Sequence, residues 1–255
     1  MVTLVALCAG LYAAVLIPFK VGIPIIPGLT EVRPANVIPI VCSVLFGPAA
    51  AWGAAFGNLI GDLFGTLGPG SLFGFVGNFL YGYIPYRAWR SLARSDMEPG
   101  GDILSRGWVR RFLLVSFLAS LTCALIVGYG VSVLRLFPFG PMAVVVSGNN
   151  FLVSAILGPP LLAALYPRVR RWGLLYHQVM RQEEIATARI GIVAHGLLWI
   201  GALGGIVAGC VISFGLRAVP MIGKAAEIAP MAGESGVALG VLPAVAVVLV
   251  ACALL

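Results

Sequence analysis

The chain has 255 residues, 60% of them hydrophobic and 10% charged, with a mean hydropathy of +1.05 and a formal net charge of +7. That balance lies outside the range of soluble globular domains and marks an integral membrane protein. It also sets aside a nucleic-acid partner, because the arginines flank apolar blocks and do not form a separate soluble domain.

A hydrocarbon core about 30 Å thick needs roughly 20 apolar residues per helical span, and only helices or closed barrels satisfy the backbone there. The apolar blocks are long and do not alternate, so the fold class is read as all-α. The first block, Val2–Phe19, lacks a basic leader and runs into a Pro/Gly loop where a cleavage site would stand, so it reads as the first span. Glycine, proline and charge punctuate the rest into spans near 36–50, 52–67, 71–87, 110–134, 141–166, 190–217 and 236–255, about eight in all. The expected organisation is a six-span domain over 1–166, a basic segment over 167–189 and two additional transmembrane helices over 190–255.

Orientation follows from arginine. Arg87, Arg90, Arg94, Arg106, Arg110 and Arg111 fall in one connection, and Arg168, Arg170, Arg171, Arg181 and Arg189 in another. Both are expected to be cytoplasmic, which puts both termini inside and residues 20–35, 68–70, 135–140 and 218–235 outside.

Within the spans, Gly53, Gly57, Gly61 and Gly65 recur every four residues, and Gly70, Gly74 and Gly82 keep the same step with Asn78 in the missing place. Small residues at that spacing let helix backbones approach closely, and the third and fourth spans are expected to pack along these stripes. Helix packing does not account for the polar residues among them. Asn58 and Asp62 share one face of the third span. At about 1.5 Å per residue, Asp62 lies ~8 Å from the outer end of its span, Asn78 ~10 Å, Asn149 ~12 Å and Asn58 ~13 Å. Polar side chains in a span are costly and face a bundle interior or a watery cavity. Above them the loop Lys20–Ala35 brings Glu31 and Arg33, with Asn36 at the mouth of the second span. The expectation is a polar pocket open to the outside beneath a Pro/Gly-rich lid, lined by Glu31, Arg33, Asn36, Asn58, Asp62, Asn78, Asn149 and Asn150. The alternative is that each amide bonds a neighbouring helix and Glu31/Arg33 is a surface ion pair.

Other chemistry is not signalled. HExxH, GxSxG and GxxxxGK[ST] motifs are missing, so metalloprotease, serine hydrolase and nucleotide-hydrolysing activities have no motif. Cys8, Cys42, Cys123, Cys210 and Cys252 are scattered without a CxxC pair and read as small hydrophobes. Glu183 and Glu184 read as a solvated face, and His177 and His195 lie on separate elements and make no metal cluster. No enzyme activity, cofactor or metal is expected.

The first span carries Ala9-Gly10-Leu11-Tyr12-Ala13, an AxxxA step. A proline-rich outer loop follows, then EVRPANVIPIVCSVLFGPAAAWGAAFGNLIGDLFG, a Gly-rich hairpin and a basic loop. Over roughly residues 4–166 this order resembles the substrate-binding S component of an energy-coupling factor (ECF) transporter, the kind that takes up vitamins and their precursors. The resemblance implies a prokaryotic plasma-membrane protein whose Ala9 and Ala13 dock on a transmembrane coupling subunit. It further implies a lid between the first two helices, cytoplasmic ATPases that supply the energy, and toppling of this subunit to deliver its ligand. The two C-terminal spans depart from a six-helix S component. Two readings from other classes stay open, a secondary transporter and a membrane sensory domain binding a small polar ligand from outside. Asp62 and Arg33 suit a zwitterionic ligand, and a neutral heteroaromatic vitamin is equally compatible.

Overall fold

The computed structural model describes residues 1–22, 24–26, 30–31, 33–92, 105–181, 183, 185, 191–215 and 235–255. The Glu31 side chain, Arg94, Glu184, Arg189, Lys224, Glu227 and Glu234 lie outside the described set. The first helix, α1 (Val2–Gly22), leads into an antiparallel ribbon of β1 (Pro24–Ile26) and β2 (Thr30–Glu31). A 3-10 turn over Pro34–Asn36 then opens α2 (Val37–Phe46), and α3 (Pro48–Asp62), α4 (Ser71–Leu92), α5 (Arg106–Val133) and α6 (Phe139–Arg171) follow. The short α7 (Tyr176–Val179) precedes α8 (Gly191–Gly215) and α9 (Ser235–Leu254). The protein is an all-α membrane fold, and among the described residues 5 helices are long and apolar enough to cross a bilayer. The small ribbon lies in the lid.

Between the second and third spans the chain turns at Gly47, whose φ is +59°, inside the expected span 36–50 and at the Phe46-Gly47-Pro48 step where the sequence expects the turn. Such a φ favours glycine, and Pro48 suits the first helical position because its missing N–H has no partner there in any case. The two helices have 10 and 15 residues, so at 1.5 Å per residue they rise only about 15 and 22 Å, less than the ~30 Å core. Their turn is therefore short of the far interface, and non-helical backbone persists at that depth only where protein covers it. Tyr176 of α7 is that cover: a Cβ at Gly47 would lie 2.9 Å from the Tyr176 Cβ. Tyr86 packs edge-on against Tyr176 with ring centroids 5.3 Å apart, and Met180 and Ile185 close the cluster. The segment after α6 thus folds back onto the bundle.

Gly53 and Gly57 of α3 turn out to face α1. A Cβ at Gly53 would fall on Cys8, and one at Gly57 would lie 2.9 Å from both the Ala9 carbonyl oxygen and the Tyr12 ring. The α3–α4 contact runs on the other side, where a Cβ at Gly82 would lie 2.7 Å from the Ala50 carbonyl oxygen. α3 is thus held between α1 and α4 at backbone distance. The glycine set of α8 is also used for packing: Gly201 receives Val248, Gly205 receives Ala244 and Leu125, and Gly209 receives Phe139. These contacts seat α8 and α9 against each other and against α5 and α6.

Replacing Gly82 by Val sets a side chain against backbone atoms of Ala50 and Ala51 that cannot move aside. It is expected to destabilise the fold by about 1–3 kcal/mol or more. A Cβ at Gly10 meets nothing within 4 Å, so Gly10→Ala is expected to leave stability unchanged or raised. Thermal unfolding of the detergent-solubilised variants checks both.

Candidate ligand-binding site

A cavity opens near the end of the bundle where α3 finishes and α4 begins. Its polar wall carries Arg33 from the lid, Asn58 and Asp62 from α3, Thr66 from the α3–α4 connection, Ser71 and Asn78 from α4 and Asn150 from α6. Its apolar wall is Cys123, Val127 and Val131 of α5 with Met142 and Val146 of α6. The glycines explain the space, since a Cβ at Gly74 would lie 3.1 Å from the Asn58 amide nitrogen. The cavity volume is about 70 Å³. At ~10–15 Å³ per water on that measure this holds roughly five waters, whose share of liquid volume is ~150 Å³. That is the scale of one bicyclic heteroaromatic ring system and less than the same ring with a sugar.

The polar wall is joined by hydrogen bonds. The Arg33 guanidinium donates through Nη1 to Asn58 Oδ1 at 3.1 Å, and Asn58 Nδ2 donates to Asp62 Oδ2 at 3.3 Å. The Thr66 hydroxyl donates to Asp62 Oδ1 at 3.0 Å. Asp62 is only 5% exposed, so its carboxylate is held by neighbours in place of bulk water. Asn58 stands between a cation and an anion and orients both. The Asn149 side chain accepts the Arg33 backbone N–H at 3.4 Å, which ties the lid to α6. The arrangement offers a carboxylate, amides and a guanidinium along one edge, and an apolar slab for a ring face opposite.

Beneath the cavity lies a second set of bonds. Asn36 is buried and donates from its amide to Asn150 Oδ1, while Tyr12 of α1 directs its hydroxyl at Asn36 Oδ1 at 2.9 Å and Asn78 Oδ1 at 3.0 Å. The Tyr81 hydroxyl lies 3.1 Å from the Asn150 carbonyl oxygen and 2.7 Å from Ser154 Oγ, and Ser154 in turn donates to the Asn36 carbonyl. α1, the 3-10 turn, α4 and α6 are thereby joined through groups that would be costly to leave unpaired in apolar surroundings.

Of the residues singled out in the sequence, Arg33, Asn58, Asp62, Asn78 and Asn150 line the cavity. Asn36 sits behind the wall and Asn149 holds the lid backbone. Glu31 is placed by its backbone in β2 alone. Ala9 and Ala13 are 6% and 5% exposed and face into the bundle, whereas Ala6, Gly10 and Ala14 form the exposed small-residue row of α1. Tyr12, Tyr81, Thr66, Ser71, Ser154 and Cys123 escape a search for charges and amides. The available signal for the two tyrosines is that a phenol deep in an apolar helix needs a hydrogen-bond partner.

A sequence model of the QueT transporter family matches residues 2–167, a range that includes every residue lining the cavity. No curated protein and no solved structure matches the chain. The chain therefore belongs to the QueT transporter family, a family of ECF-type S components, and is a membrane transport protein and not an enzyme.

Proposed function

We propose that this protein is the specificity subunit of an ATP-driven ECF transporter and that it takes up a precursor of queuosine, a 7-deazaguanine base. The family is associated with queuosine-precursor uptake. The observation that carries the substrate reading is the cavity itself: bicycle-sized, with a buried carboxylate and amides on one side and an apolar slab on the other. A 7-deazaguanine presents N1–H and a 2-amino group side by side, and a carboxylate accepts both. Asp62 takes that edge, Arg33 and Asn58 hold Asp62 in place, and the ring face rests on Val127, Val131 and Met142. The lid ribbon and Arg33 close over the base from the outer side. Glu31 borders that entrance.

Two further features support an uptake role. The ends of α4 and α5 that carry the arginine clusters lie together, with Trp89 and Trp108 rings 5.2 Å apart, and Tyr86 joins them to the region after α6. Basic ends gathered on one side agree with a cytoplasmic placement of both termini in a plasma membrane. Docking on the coupling subunit falls to the outward row Ala6, Gly10 and Ala14, because Ala9 and Ala13 are occupied by packing within this chain. Small side chains there allow a second helix to approach and slide. The ATPases reach the protein through that coupling subunit.

Equilibrium binding of 7-deazaguanine to purified protein tests the substrate reading, and wild-type protein that retains no such base and binds none would sink it. Asp62→Asn and Asn78→Leu are expected to weaken binding roughly tenfold or more while the protein remains folded, since a lost buried hydrogen bond costs about 1–3 kcal/mol. For docking, Gly10→Leu is expected to abolish co-purification of the coupling subunit and leave base affinity unchanged. Retention of the full complex by that variant moves the docking face elsewhere.

A further inference from the structure

Asn58 and Asn78 each have an amide whose orientation is set by partners of a single polarity. Asn58 Oδ1 accepts from the Arg33 guanidinium, which cannot accept, and its Nδ2 donates to the Asp62 carboxylate at 3.3 Å. Asn78 Nδ2 donates to the Gly74 backbone carbonyl at 2.8 Å, which turns its Oδ1 toward Tyr12. Neither amide can reverse without setting like against like. The two nitrogens meet across Gly74, since a Cβ there would lie 3.1 Å from Asn58 Nδ2 and 3.8 Å from Asp62 Oδ2. Each nitrogen carries two hydrogens, and among the described residues each gives one to a protein acceptor. Both side chains are buried, 2% and 4% exposed, and both line the cavity. The second hydrogens of this amide wall are offered to whatever fills it.

We propose that Asn58 and Asn78 form a donor pair that reads a ring carbonyl, so that the site selects a lactam: a ring N–H for Asp62 and, beside it, a C=O for the amides. The inference rests on the uptake reading above and deepens it. Asn58 precedes Asp62 by four residues on α3, which sets it one turn, about 6 Å, deeper on the same face. A 7-deazaguanine laid along that face meets Asp62 Oδ2, the oxygen shared with Asn58, through N1–H, and Oδ1, the oxygen shared with Thr66, through its 2-amino group. The next group along the edge is the 6-oxygen, and it falls beside the two amide nitrogens. A ligand with a poor acceptor at that place leaves both buried N–H groups unanswered, and sites built around a hydrogen bond reject such analogues.

The test compares 7-deazaguanine with two analogues. 7-Deazahypoxanthine lacks the 2-amino group, and the 6-thio analogue keeps the N1–H and 2-amino donors but offers sulfur, a weak acceptor, in place of the 6-oxygen. Wild-type protein is expected to disfavour each analogue by about tenfold or more. Asn78→Asp preserves the shape of the side chain and removes the donor: ionised it has no hydrogen, and neutral it has one, which the Gly74 carbonyl takes. That variant is expected to bind 7-deazaguanine and the 6-thio analogue within about threefold of each other while still disfavouring 7-deazahypoxanthine. Asp62→Asn is expected to keep the oxo preference and lose the other. Because Asn78→Asp leaves the space unchanged, a preference that reflects only the size of sulfur survives in it. Should Asn78→Asp fail to fold, Asn78→Ala removes the same donor and is expected to give the same loss of oxo preference. An oxo preference that persists in the folded variant, or equal loss of affinity for all three probes, overturns the donor pair. Wild-type binding of 7-deazaguanine without an oxo preference also overturns it and leaves the uptake reading standing, whereas wild-type binding of none of the probes removes both.

Discussion

The site depends on how closely α3 can approach its neighbours. Gly53 and Gly57 admit α1 to backbone contact on one side, and Gly82 admits α3 to α4 on the other. Only at that separation does the Tyr12 hydroxyl, carried by α1, come within 3.0 Å of Asn78 on α4 and 2.9 Å of Asn36 at the foot of the lid. A wider spacing would leave a phenol and two amides unpaired in apolar surroundings, at about 1–3 kcal/mol each. The small residues and the polar residues therefore belong to one arrangement, the first bringing the second into reach.

The same approach sets the length of α2 and α3. Two helices of 10 and 15 residues cannot cross the hydrocarbon, yet together they place Asn36, Asn58 and Asp62 near one level. Their turn at Gly47 needs protein above it, and Tyr176, Tyr86 and Ile185 supply it. A loop at that position would be excluded from lipid, so the region after α6 is structurally tied to the pocket hairpin.

Much of this was legible in the sequence. Counting residues at 1.5 Å each sets Asn58, Asp62, Asn78 and Asn149 at similar depth; the first three line the cavity, whereas Asn149 holds the lid backbone and its neighbour Asn150 faces the cavity. Facing is harder to read. α1 has small residues at 6, 9, 10, 13 and 14, so composition alone does not say which row faces the bundle and which faces outward. Tyr12 decides it, because its hydroxyl must be satisfied, and Cys8, Ala9, Ala13 and Leu16 follow it into the interior. The glycines of α3 pose the same ambiguity, and the expected α3–α4 seam proves to be shared with α1. Nor does a sequence show that a basic segment predicted to lie outside the spans folds back under a helical turn, since that rests on one aromatic ring filling the space that Gly47 leaves.

The placement of α8 and α9 follows from the same geometry. They add nothing to the cavity wall, all of whose residues precede Phe151. They cover α5 and α6 instead, with Leu125 and Phe139 entering the glycine gaps of α8 and Phe214 reaching Gly140. The helices they support are the ones that form the apolar slab of the site. α1 lies at the other edge of the packing order, beyond α3 and α4, and its row Ala6, Gly10 and Ala14 stays uncovered. A rigid backing behind the ligand's ring face and a bare small-residue row on the helix bonded to the amide wall give the molecule two unlike sides. Tyr12, on the same helix as that row and bonded to Asn78 of the wall, links the two.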